Sequence, residues 1–512
     1  MTAPPPRASA SVDRSVALVA FAVFALHALT ASGYGPFRDE LYYLACGRRL
    51  ALGYVDHPPM IALLARVLEQ TVGTSSPALR SLPALAAGVT AWLAGATAAV
   101  FGGGRLAQVT AALTLALAPV VLALCSVFSM NAVELALWAL AWWLLARMLA
   151  GDGIDVDRLG PWLLLGLVLG LALETKISAL ILGLGLLVGI LAGGRAALLR
   201  KPGPWLAAAV ALLLFAPHVL WQLQHDWPTL EFMRGAREHK MLAPAPGAWV
   251  LEQVLNMGPP AAPLGLAGLW WLLRSEQARP LRPLAWAFLT VITVLLLGQG
   301  KAYYAAPAYL PLYAAGGVAL ERAPRALRIR APTLVVVGAL ATLPLSKPIL
   351  PVERFIRYQD ALGLEPGTGG ERHELEALPQ FYADMHGWEQ LAAEVTAIHR
   401  ALAPELRERA CVFAQNYGQA AAIEILGEDP PPVLSGHNNY WQWGPRGCGE
   451  VMIVIGGERS ELEAVFAEVQ QVASHHCADD RCMPYENHKP LWLAQGPRVS
   501  LEQLWAQLRH YE

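Results

Sequence analysis

The sequence predicts a polytopic α-helical membrane protein of about eleven transmembrane helices, followed by a soluble α/β domain. Three observations carry that prediction. Of 512 residues, 55% are hydrophobic and 15% charged, against roughly 25% charged in an average soluble domain, so most of the chain is built for lipid. Apolar stretches recur along residues 15–345, near the length of about 20 residues that a crossing needs. After about residue 348 the composition becomes that of a soluble domain. The net charge of −2 comes with no long basic run, which excludes nucleic acid as a partner.

The amino terminus, MTAPPPRASASVDR, is polar and proline-rich, and reads as a cytoplasmic tail over residues 1–14. The apolar stretch 15–31 has no A-x-A-like cleavage site after it, so it is expected to be a retained first helix. Further spans are expected at 79–101, 106–124, 132–149, 161–173, 177–191, 205–223, 260–273, 283–297, 305–320 and 332–345. Several are short, and 161–191 reads equally as one long helix. Loop charge separates the two cases. Alternate connections carry Arg105, then Arg147 and Arg158, then Arg195, Arg200 and Lys201, then Arg274, Arg279 and Arg282, then Arg322, Arg325, Arg328 and Arg330. Such loops are cytoplasmic by the positive-inside rule. Since Arg158 and Arg195 both lie inside, the chain crosses twice between them, with Glu174, Thr175 and Lys176 at the outer turn. An odd count of crossings places the domain at 348–512 outside, in the periplasm of a bacterial inner membrane.

That outer domain holds Cys411, Cys448, Cys477 and Cys482, which suggest disulfides in an oxidising compartment. Zinc is the weaker alternative, because Cys477 and Cys482 have four residues between them and no CxxC pair beside them. RACVFAQNYG, EVMIVIGG and LWLAQGP hold short apolar runs beside glycine, as buried strands do, and 460–472 and 501–508 read as amphipathic helices. SGHNNYWQWGP has the aromatic and amide content to stack on sugars, and equally the content of a tryptophan-packed turn.

The transmembrane domain is expected over 15–347, with the long outer loop 32–78 carrying the site. The outer loops collect Asp39, Glu40, Asp56, His57, Glu174, Lys176, His225, Asp226, Glu231 and Lys301. Groups this polar beside hydrocarbon pair, face water or act in function. Leu41, Leu44, Ala45 and Leu52 fall at helical spacing, so 41–52 is expected as an interfacial helix with Asp39 and Glu40 at its amino terminus. Asp39 reads either as that helix's cap or as a functional carboxylate.

FRDELYYLACGRRLALGYVDHPPMIALLARV, HVLWQLQHDWPTLEF and GQGKAYYAAPAYLPLYAAGG together resemble the membrane glycosyltransferases related to protein O-mannosyltransferases and the lipid A aminoarabinose transferase. The resemblance spans the membrane half. It implies the C-type glycosyltransferase fold, a polyprenyl-phosphate sugar donor, an inverting reaction, and a catalytic acidic residue after the first span, which falls on Asp39 with Glu40 beside it.

The chemistry of the residues is compatible. A polyprenyl phosphate leaves readily, so the acceptor hydroxyl needs a base and the departing phosphate a cation. Asp39 is the candidate base. Lys301, beside Tyr303 and Tyr304, is the candidate phosphate ligand, with Lys176, Arg234 and Arg237 as second choices; the plain alternative for Lys301 is a lysine snorkelling from a helix end. Asp56 and His57, held extended before Pro58 and Pro59, are candidate ligands of a divalent metal with His225. No nucleotide or redox cofactor is expected.

The implied partners are the bilayer, the lipid-linked donor and an acceptor on a lipid, protein or polysaccharide. A transporter or flippase of lipid-linked sugars is the rival reading. It would place polar residues near mid-membrane on broken helices, whereas the acidic set here gathers on one side. A membrane-anchored metal phosphotransferase is a third, but His475, His476 and His488 form no ligand pattern in sequence.

Overall fold

The computed structural model describes residues 11–512, so the first ten residues of the expected cytoplasmic tail lie outside the described residues. The described residues divide into two compact units, one of residues 11–31, 79–220 and 243–350, the other of residues 32–78, 221–242 and 351–512.

In the first unit every expected span contains a helix. Helices Arg14–Leu29, Ser76–Val100, Met130–Ala150, Pro202–Gln224, Arg282–Leu297 and Arg325–Ser346 match single stretches. The stretch 106–124 is instead two helices, Arg105–Ala116 and Pro119–Leu124, because Pro119 cannot donate to the preceding turn and starts a new one. Residues 305–320 open as a 3₁₀ helix, Ala302–Tyr309, that contains Pro307 and become α-helical at Leu310–Glu321. The stretch 161–191 breaks as loop charge required: Leu159–Thr175 ends at an extended Lys176, and Ala179–Ala192 follows. Among the described residues, five segments are long and apolar enough to cross a membrane by length and composition: Ser76–Val100, Met130–Ala150, Pro202–Gln224, Arg279–Leu297 and Arg325–Ser346. Three more helices are apolar but shorter.

Small residues set how closely these helices pack. Gly185, Gly189 and Gly193 recur every fourth residue, and a Cβ on Gly189 would stand 2.3 Å from the Pro283 carbonyl oxygen of helix Arg282–Leu297. In lipid no hydrophobic force draws helices together, so such backbone approach supplies the contact.

The second unit is built on a five-stranded sheet of β1 (Ala410–Ala414), β2 (Val433–Ser435), β3 (Val451–Ile455), β4 (Phe466–His475) and β5 (Lys489–Pro497), in the order β2-β1-β3-β5-β4. β1 is parallel to β2 and β3, whereas β5 is antiparallel to β3 and β4. The three glycine-flanked runs became β1, β3 and β5. Disulfides join Cys411 to Cys448 and Cys477 to Cys482.

Two expected helices are corrected here. The helix at 460–472 ends at Val465, and the chain continues as β4, which pairs on one side only with β5. The interfacial helix expected at 41–52 is Arg38–Gly47, and Leu41 through Gly47 are all buried. It packs on helices Met60–Thr71 and Tyr417–Leu426 instead of lying half in lipid.

Candidate functional site

The start of helix Arg38–Gly47 decides between the two readings of Asp39. Phe37 stands at the N-cap and has no capping side chain. Glu40 caps the helix in its place. Its carboxylate accepts the Phe37 N–H at 2.8 Å, and the side chain is fully buried. The Arg38 N–H donates to the Asp384 carbonyl at 3.1 Å. Asp39 is therefore not the cap. Its side chain is 30% exposed, and one carboxylate oxygen accepts the Tyr417 hydroxyl at 2.9 Å and lies 3.6 Å from Arg38 Nε.

Sequence reasoning missed the residues that hold Asp39. Arg38 donates from Nη1 to the Tyr485 hydroxyl at 2.7 Å, stands 3.5 Å from Asp384, and lies 5.3 Å above the Tyr417 ring. A Cβ on Gly418 would come within 2.7 Å of Arg38 Cγ, so helix Tyr417–Leu426 begins directly against the arginine stem. Burial pushes the Asp384 carboxyl up to about 6, with Arg38 opposing the rise. Arg38 was visible in FRDEL, but its partners lie over 340 residues away in sequence.

Glu486 anchors the same helix. It accepts from Asn416 Nδ2 at 2.8 Å and Gln419 Nε2 at 2.6 Å, and burial raises its carboxyl to about 7. The folded state thus holds this proton more tightly than the unfolded chain. Its contribution to stability is present below about pH 4.5 and is lost as pH rises through 7, about 3 kcal/mol at roughly 1.4 kcal/mol per unit. Glu486→Gln is expected to flatten that part of a stability profile measured by chemical unfolding between pH 4.5 and 8. An unchanged slope would contradict it.

Asp56 lies deeper, accepting from the Tyr42 hydroxyl at 2.9 Å and Asn439 Nδ2 at 3.2 Å, and burial raises its carboxyl. Asn439 belongs to SGHNNYWQWGP, whose aromatic residues pack inward: Tyr440 is fully buried, and Trp441 and Trp505 each donate to the other's carbonyl. The packed-turn reading of that segment fits these contacts.

The expected metal triad is not assembled. His57 lies 4.0 Å from Asp56 and donates from Nδ1 to the Pro58 carbonyl at 2.8 Å. His225 is stacked on Trp221 and donates to that residue's carbonyl, also at 2.8 Å, which holds its ring against the end of helix Pro202–Gln224. Among the described residues no three His, Cys, Asp or Glu side chains come together to hold a metal ion. Arg234 and Arg237 are exposed, on helix Pro228–Gly235 and the turn that follows.

Within the membrane unit, Lys176 and Tyr304 do come together. The ammonium lies 3.9 Å from the centre of the Tyr304 ring, 2.7 Å from Asn131 Oδ1 and 3.3 Å from Glu134. Lys176 is thus already paired with Glu134. Lys301 stands at the N-cap of the 3₁₀ helix Ala302–Tyr309.

The fold has counterparts among known proteins. The structure of ArnT from Cupriavidus metallidurans bound to undecaprenyl phosphate aligns with 95% of this chain and 99% of its own, with a TM-score of 0.59 at 15% identity. The chain has the ArnT fold. The apo form of ArnT aligns equally well, with a TM-score of 0.59 at 16% identity over 98% of this chain and 99% of its own. The C-type glycosyltransferase fold implied by the resemblance is thus the fold observed. Residues 56–221 match the family model described as dolichyl-phosphate-mannose-protein mannosyltransferase. Lipid A galacturonosyltransferase RgtD of Rhizobium johnstonii is 30% identical over 203 residues, which is 38% of this chain and 40% of that relative's length. The resemblance carried by the three quoted segments is borne out.

Proposed function

We propose that the chain is an inverting glycosyltransferase that moves a sugar from a polyprenyl-phosphate carrier to a hydroxyl of a lipid, protein or polysaccharide at the periplasmic face of the inner membrane. The observation that carries the reading is the Asp39 carboxylate, relieved of capping by Glu40, partly open to solvent and oriented by Tyr417. The undecaprenyl phosphate bound to ArnT and the lipid A acceptor named for RgtD support the donor and acceptor classes. The alternation of basic loops and the two disulfides support the periplasmic side.

In this reading Asp39 takes the proton from the acceptor hydroxyl. The oxygen attacks the anomeric carbon on the side opposite the phosphate, the bond from that carbon to the phosphate oxygen breaks, and its electron pair leaves with the polyprenyl phosphate. The sugar inverts because one displacement occurs. Lys301 is assigned the leaving phosphate, whose charge grows as that bond breaks. No step is routed through a metal ion, because Asp56, His57 and His225 do not form a ligand set.

Transfer of sugar from a synthetic polyprenyl-phosphate donor by the purified chain tests the proposal. Lys301→Ala is expected to raise the donor concentration for half-maximal rate by about tenfold, in the range lost with one charge-assisted hydrogen bond. Unchanged donor dependence in the folded variant would return Lys301 to the snorkelling role.

A further inference from the structure

The membrane unit has a second polar feature, at the other end of helix Ala179–Ala192 from Lys176. A cavity of about 760 Å³ is lined there by Arg195, Arg274, Arg279 and Arg282, with Leu273 and Trp286 on its walls. Arg195 comes from the turn after Ala192, Arg274 from the end of helix Ala262–Arg274, Arg279 from the 3₁₀ turn Arg279–Leu281 and Arg282 from the start of helix Arg282–Leu297. Among the described residues no aspartate or glutamate lines it.

Arginines that only mark a cytoplasmic loop extend into water. Two of these do not. Arg195 is half-buried and donates to the Leu149 carbonyl at 2.9 Å, and burial alone lowers its pKa, with no acid acting on it. Arg282 is also half-buried. Its Nε–H is buried with no hydrogen-bond partner among the described residues, and its ion pair is with the exposed Glu276 at 3.5 Å. Positive charge drawn partly out of water, with the exposed Glu276 as the acid paired to it, favours a further anion.

We propose that this cavity binds the phosphate headgroup of an anionic phospholipid. The walls select a lipid over free phosphate. Trp286 and Trp270 are exposed, and Arg274 lies 5.3 Å over the Trp270 ring, so tryptophan and arginine share the level at which aromatic belts meet headgroups. The helices below present exposed apolar side chains to acyl chains, Leu187, Leu191 and Leu266 among them. The site is independent of the proposed sugar transfer, since it takes a structural lipid and uses none of the residues assigned to the reaction.

The full-length protein in neutral detergent is titrated with phosphatidylglycerol and, separately, phosphatidylcholine of the same acyl chains. Bound lipid is counted by native mass spectrometry, and thermal unfolding is followed alongside. Phosphatidylglycerol is expected to bind about tenfold more tightly and to raise the unfolding temperature. Arg274→Gln with Arg279→Gln, both at exposed positions that leave the helix packing intact, is expected to abolish most of that preference, and inorganic phosphate is expected to give no shift. Equal binding of the two lipids, an undiminished preference in the variant, or a shift reproduced by inorganic phosphate alone would overturn the proposal.

Discussion

Asp39→Asn is expected to lower the rate of sugar transfer by about 10²- to 10⁴-fold, the range typical of losing a general base. The substitution keeps the size of the side chain and an oxygen to accept the Tyr417 hydroxyl, so the hydrogen bond now measured at 2.9 Å survives. It removes the lone pair that would take the acceptor's proton. Capping does not confound the result, because Glu40 and not Asp39 satisfies the Phe37 N–H. Thermal unfolding is recorded alongside, because Asp39 also lies 3.6 Å from the buried Arg38, and the rate is compared only between folded proteins. Donor dependence should be nearly unchanged, since the phosphate is assigned to Lys301. Turnover close to wild type in the folded variant would remove Asp39 from the mechanism.

The second large effect is expected at Arg38. Asp384 is 2% exposed, and Arg38 is the cation 3.5 Å from it. Arg38→Met leaves that carboxylate buried and uncompensated, which typically costs about 3–5 kcal/mol. The deficit should shrink on acidification, because Asp384 already titrates near 6 and without the arginine its carboxyl rises further, so a proton relieves it sooner. Arg38→Met with Asp384→Asn should recover most of the loss, since neither partner then remains charged in the interior. The measurement is chemical unfolding in detergent at pH 5 and pH 8. A loss under about 1 kcal/mol at pH 8, or one independent of pH, would show that the pair does not hold the helix start. This prediction concerns the setting of Asp39 and stands whether or not Asp39 is the base.

The membrane helices were legible because lipid imposes one simple demand, an apolar run of sufficient length. Loop arginines then resolved the ambiguous turn at Lys176. The strands β1, β3 and β5 were legible because each is a buried apolar run beside glycine. β4 was not. It is an edge strand with most of its residues exposed, and up to Val465 its segment is truly helical, so no local period marks the switch at Phe466.

Within the site, Asp39 and Glu40 could be named from their motif, but their division of labour could not. The capping box is recognised in sequence by a serine or threonine at the N-cap, and Phe37 stands there instead. Nothing in the sequence singled out Arg38. Its partners Asp384, Tyr417 and Tyr485 are brought to it by tertiary packing alone, as Asn439 is brought to Asp56. The metal set failed for a related reason: adjacency of Asp56 and His57 in sequence said nothing of His225, whose ring is held against Trp221.

The most direct test of the central claim is the anomeric configuration of the transferred sugar. Purified wild-type protein is supplied with a polyprenyl-phosphate sugar of known anomeric configuration and a hydroxyl acceptor, and the product is read by nuclear magnetic resonance. The account predicts transfer that depends on the lipid donor and yields the opposite anomer. Retention of configuration would contradict a single displacement assisted by Asp39, and absence of transfer, together with movement of labelled lipid-linked sugar across liposome membranes, would assign the fold to transport instead.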